Sequence, residues 1–138
     1  MKIFVWVSTL LLGLVSLLGG GISIYGGLEG LTSFMGFSFD GPGSGDWFAP
    51  GDNEYRFFAG VWVGVGLGLL YCLRNISGNV MFFRFAMLGI FLGGIGRLLS
   101  TLQVGEVPAF YGPMAIELIL VPLLVLAHAR LASAPRVQ

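Results

Sequence analysis

The sequence predicts an all-α membrane protein: a bundle of four transmembrane helices with both termini on the cytoplasmic side (N-in, C-in). Three observations carry the prediction. There are too few charges for a soluble surface, there are four apolar stretches of spanning length, and the basic residues are confined to one set of connections. Of the 138 residues, 56% are hydrophobic and 10% charged, against about 25% charged in an average soluble domain. Mean hydropathy is +0.89. A globule of this size needs a polar exterior that this chain cannot make, so lipid is the expected solvent for most of its surface. The 7 basic and 7 acidic residues cancel, which leaves no basic face for nucleic acid.

The helices are expected at roughly residues 3–27, 54–74, 80–103 and 113–131, making 1–138 a single four-helix domain. Each stretch is near the ~20 residues that an α-helix needs to cross ~30 Å of hydrocarbon. Strands are disfavoured because an unpaired strand leaves its backbone unsatisfied in lipid, and the alternation of a barrel is absent. The first stretch follows Lys2 as a signal peptide would. Its apolar run is longer than the roughly 7–15 residues of such a region and no Ala-x-Ala site follows, so it reads as a retained helix.

The connections carry turn chemistry. Residues 32–53 form the expected extracytoplasmic loop, with Gly41-Pro42-Gly43-Ser44-Gly45 inside it and Trp47 and Phe48 as expected interfacial anchors. Residues 74–79 make a short turn, and 104–113 hold Gly105, Pro108, Gly112 and Pro113, the last suited to a helix's first turn. Lys2, Arg74, Arg84, Arg130 and Arg136 fall on one side, whereas Glu29, Asp40, Asp46, Asp52 and Glu106 fall on the other. Basic residues in short loops mark the cytoplasmic face, and every connection gives the same orientation.

Charge inside the spans is the chain's most informative chemistry. Arg84 opens the third helix and reads as a snorkelling anchor. Glu54, Arg56, Arg97 and Glu117 all lie within the outer third of the membrane at ~1.5 Å rise per residue. Two carboxylates and two guanidiniums at one depth are expected to neutralise one another, since an unpaired charge near the centre costs at least ~2.5 kcal/mol. They are the candidate ligand-binding residues. The same cluster also reads as a polar plug that fixes helix register. Glycine, at 23 residues, suggests close helix packing. Arg56, Gly60, Gly64 and Gly68 recur on one face, and Gly89, Gly93 and Arg97 on another, so both stripes are expected to be packing faces. Tyr25, Tyr55, Tyr71 and Tyr111 near helix ends are donors to the network or interface anchors.

Other signals are weaker. Cys72 is the single cysteine and is expected to pack. His128, the single histidine, sits beside Arg130 and is expected at the interface. It supports no bis-histidine haem, zinc set or Ser/His/Asp arrangement, so neither a metal nor a cofactor is expected. The glycine clusters at 64–68 and 93–96 lie mid-helix with no preceding strand and do not read as nucleotide loops. Asp40, Asp46 and Asp52 do not have the spacing of a calcium loop. Asn75-Ile-Ser77 fits a glycosylation sequon on the wrong side of the membrane.

The run Asn53-Glu54-Tyr55-Arg56-Phe57-Phe58-Ala59-Gly60, with Phe83-Arg84-Phe85, Gly93-Gly94-Ile95-Gly96-Arg97-Leu98-Leu99-Ser100, Pro113 and Glu117, resembles a bacterial family of small four-helix membrane proteins catalogued as a domain of unknown function. The resemblance runs from the first helix to the fourth. It implies a bacterial inner membrane and no catalytic assignment. A looser likeness in size and helix count is to the DoxX-like membrane proteins, linked to quinone and thiol redox chemistry. Fold alone carries no function.

The expected function is a small accessory or scaffold protein, a subunit of a larger membrane complex without chemistry of its own. Its expected partners are membrane lipid and other membrane protein subunits. The alternatives are a lipid- or quinone-binding carrier and an intramembrane enzyme, both using the outward-facing Glu/Arg cluster.

Overall fold

The structure is a computed structural model and describes residues 1–35 and 48–133. All regular structure among them is helical: α1 (Lys2–Met35), α2 (Phe48–Cys72), α3 (Val80–Gln103), α4 (Tyr111–Ala115) and α5 (Val121–Ala132). Short 3₁₀ turns cover Leu73–Asn75 and Pro108–Phe110, and a π-turn, Ile116–Leu120, joins α4 to α5. Four segments are long and apolar enough to cross a membrane: Lys2–Gly30, Phe48–Asn75, Val80–Gln103 and Pro108–Ala132. Large apolar side chains stay exposed along them, among them Val15, Leu18, Phe57, Phe85 and Leu126. A surface of that kind is stable only against lipid or another apolar partner.

Two boundaries differ from the sequence expectation. The second helix starts at Phe48 rather than 54, because Pro50 is tolerated where the first N–H groups need no helical partner. The first helix continues past 27 to Met35, but through a break at Gly27 (φ 60°, ψ −153°). Trp47, Asp40, Asp46 and Arg136 lie outside the described residues.

The chain forms two compact units. Unit one gathers Met1–Leu10 and the chain from Tyr71 onward; unit two is Leu11–Leu70. In unit two the α1 and α2 backbones approach closely through small residues. A Cβ at Gly20 would lie 2.8 Å from the Ala59 carbonyl oxygen, and one at Gly66 would lie 2.8 Å from the Leu17 nitrogen and 2.9 Å from the Gly13 oxygen. Tyr55 and Ser23 share a hydrogen bond of 2.6 Å between their hydroxyls. Within the chain, these close approaches fall at Gly20 and Gly66 and not at Gly60, Gly64 or Gly89 of the expected stripes. A Cβ at Gly60, Gly64 or Gly89 would meet nothing within 4 Å. The inward face of α2 runs through Ala59, Gly66 and Leu69, which is offset from the Gly60–Gly64–Gly68 row.

In unit one the fully buried side chains include Phe83 and Met87 of α3, Leu124 and His128 of α5, and Cys72. Gly94 permits the approach of the fourth span, since a Cβ there would lie 2.7 Å from Glu117 Cβ. His128 does not face outward as an interface residue would. It is fully buried, its Nε2 lies 2.7 Å from the Ile76 carbonyl oxygen, and its ring stacks on Phe83 at 4.0 Å between centroids. The 3₁₀ turn that closes α2 leaves carbonyls without helical partners, and the imidazole meets one of them.

Alanine at Gly20 or Gly66 presses a methyl group against backbone, so each substitution is expected to destabilise the protein by about 1–3 kcal/mol. Alanine at Gly60 or Gly64 should be neutral or gain up to about 1 kcal/mol from helix propensity. Reversible unfolding of the four variants in mixed detergent micelles checks the contrast.

Candidate functional site

Four charged side chains of the spans form two ion pairs, one in each unit. The first repairs the break in α1. In an unbroken helix the Leu28 N–H would donate to the Ile24 carbonyl. At Gly27 the backbone takes a conformation open essentially to glycine alone, and both groups turn elsewhere. Leu28 N–H donates to Asp52 Oδ1 at 2.9 Å, Arg56 Nε donates to Asp52 Oδ2 at 2.7 Å, and Arg56 Nη1 donates to the Ile24 carbonyl. Nη1 also reaches the Tyr25 carbonyl at 3.0 Å.

One helical hydrogen bond is thus replaced by an inserted carboxylate–guanidinium bridge. The signs suit the helix dipole, with the cation at the carbonyl end of the first segment and the anion at the amide end of the second. Gly27 is required twice, since a Cβ there would also collide with Asp52 Oδ1 and the Arg56 guanidinium. Asp52 and Arg56 are one turn apart on α2, the i,i+4 spacing that lets the two side chains meet.

The second pair joins α3 to the fourth span. Glu117 is buried, with 6% of its surface exposed, and both of its oxygens accept from Arg97 Nε, at 3.2 and 3.0 Å. It sits in the π-turn, where Val121 N–H bonds back to the Ile116 carbonyl. Pro122 gives the cause: it has no N–H for the Leu118 carbonyl and its ring crowds that carbonyl, so the helix widens just before it. The Arg97 guanidinium carbon lies 4.9 Å from the centre of the Phe110 ring, a cation–π contact.

Of the four residues singled out in the sequence, Arg97 and Glu117 are brought together. Arg56 pairs with Asp52 and not with Glu54, which is exposed and forms no hydrogen bond or ion pair with the described residues. Sequence reasoning assigned Asp52 to a solvated loop. Its spacing from Arg56, two residues after Pro50, was the signal that could have placed it on the helix. Among the tyrosines, Tyr55 meets Ser23, and Tyr111 donates to Glu106 at 2.6 Å. Tyr25 is exposed and Tyr71 lies under the Arg74 guanidinium. No group of three or more His, Cys, Asp or Glu placed to hold a metal ion occurs among the described residues.

These features define the class: a helical protein with four segments long and apolar enough to span a membrane, and two ion pairs among the charges they carry. The chain belongs to the family described as domain of unknown function DUF4345, whose sequence model matches residues 3–128. No curated protein and no solved structure matches it.

Five substitutions, singly and in two combinations, test the two pairs. Gly27→Ala should lower stability by about 1–3 kcal/mol from backbone strain, read from unfolding in mixed micelles. Asp52→Ala and Arg56→Ala should each lower the thermal midpoint, and the double variant should fall little further, because the bridge works only when complete. Arg97→Leu strands a buried carboxylate and should cost about 3–5 kcal/mol, whereas Arg97→Leu with Glu117→Leu should recover most of that loss.

Proposed function

We propose that this chain is a small integral membrane scaffold, an accessory subunit of a larger complex in the bacterial inner membrane. It has no chemistry of its own. Both termini face the cytoplasm, and its helices form a single domain that offers apolar faces to a partner. One observation carries the reading: Asp52 and Glu117 are each taken up by an arginine, Asp52 at the break at Gly27, while Glu54 is exposed near the start of its span. An intramembrane acid or base needs a carboxylate left available for proton transfer. Both oxygens of Glu117 are held by Arg97, and Asp52 bridges an amide and a guanidinium. The family resemblance supports the bacterial membrane, and the basic residues flanking the spans support the orientation.

The test is purification of the untagged chain's native complex from its own membrane in mild detergent, with proteins and lipids identified together by mass spectrometry. A membrane protein recovered in fixed stoichiometry is the expected result. Recovery of the chain alone, with a small molecule that it chemically converts, would contradict the proposal. Fusions of a cytoplasm-dependent and an export-dependent reporter to the C-terminus check the orientation; activity of the first alone is expected.

A further inference from the structure

Arg97 makes a one-sided ion pair. Its hydrogen bonds to Glu117 use only Nε, which serves both carboxylate oxygens. The Phe110 ring covers a face of the guanidinium. Among the described residues, neither Nη group makes a hydrogen bond, although the side chain is only 34% exposed. Four charged N–H donors at the edge of an apolar span are costly to leave without acceptors. The planar Nη edge presents parallel donors that match a tetrahedral oxyanion.

Surroundings narrow the class of anion. Arg97 is six residues before the end of α3 at Gln103, about 9 Å along the axis at 1.5 Å per residue. Its guanidinium is level with Phe110, the third residue of the Pro108–Ala132 span. That depth is where lipid headgroups meet hydrocarbon. The residues flanking the pair on the two spans are apolar and exposed, Leu98 beside Arg97 and Ile116 beside Glu117, which suits acyl chains and not a free ion. Glu117, held behind the guanidinium by Gly94 and the π-turn, fixes the arginine so that its Nη edge is presented without further ordering, which favours binding.

We propose that the Nη edge of Arg97 is a phosphate-binding site for a membrane phospholipid, with Glu117 and Phe110 as its positioning residues and Leu98 and Ile116 against the acyl chains. The lipid is bound and not converted. The site adds a specific lipid to the scaffold, and it stands or falls separately from the identity of any protein partner.

The full chain in maltoside micelles is titrated with phosphatidylglycerol, diacylglycerol and inorganic phosphate, and adducts are counted by native mass spectrometry. One phosphatidylglycerol should be retained per chain, with diacylglycerol bound at least about tenfold more weakly, the loss of one charged hydrogen bond or more. Glu117→Gln removes the competing anion and should hold phosphatidylglycerol as tightly or more tightly. Arg97→Gln with Glu117→Gln keeps the pair neutral and hydrogen-bonded, and should weaken phosphatidylglycerol about tenfold or more. Phosphatidylglycerol binding unchanged in that double variant would overturn the site, as would equal binding of diacylglycerol. Inorganic phosphate competing as well as the lipid would uphold a phosphate site and overturn its assignment to lipid.

Discussion

The constraint on which this structure depends is that polar groups inside a membrane must find partners within the protein. It acts most sharply at Gly27. A helix interrupted near the end of a span leaves a carbonyl and an amide without helical partners, and each costs free energy if it stays unsatisfied away from water. Here α2 supplies both replacements from one turn: Asp52 takes the Leu28 amide, Arg56 takes the Ile24 carbonyl, and the two side chains bond to each other. A bend that would be unstable alone becomes a joint that fixes α1 on α2. Residues 20 and 66, where only glycine lets the backbones touch, lie along the same pair of helices.

The same constraint shapes the other unit by a different route. Pro122 opens the fourth span into a π-turn, and Glu117 is carried in that turn toward α3. Arg97 meets it across the small surface of Gly94, and the pair remains where neither charge alone would be tolerated. Buried His128 follows the rule through Nε2 alone, which meets the Ile76 carbonyl at the turn that ends α2, while its Nδ1 has no hydrogen-bond partner among the described residues. In each case an irregular stretch of backbone and a polar side chain occur together, because each satisfies what the other leaves open.

The spans were legible because apolar length is a strong signal that no tertiary contact can mask. Arg97 and Glu117 were legible as a pair because depth along a helix follows from residue count. Other features were hidden for physical reasons. Gly27 is one glycine among many in an apolar helix, and nothing local distinguishes a break from a packing site. Asp52 lies before the apolar run, so hydropathy began the helix too late to include it, and Arg56 was left with Glu54 as its nearest acid. The glycine faces were misplaced on α2 because rows through Gly60 and Gly66 are both regular. Which row packs depends on the helix opposite, and periodicity within one helix does not record that.

The central claim is that an inserted ion pair takes the place of a helical hydrogen bond in α1. Amide exchange at Leu28, followed by NMR on the protein in lipid nanodiscs, reads it directly. The account predicts slow exchange in the native chain and selectively faster exchange at Leu28 in Asp52→Ala, with the amides earlier in α1 unchanged. Rapid exchange at Leu28 in the native chain, or protection that survives the loss of Asp52, would contradict it.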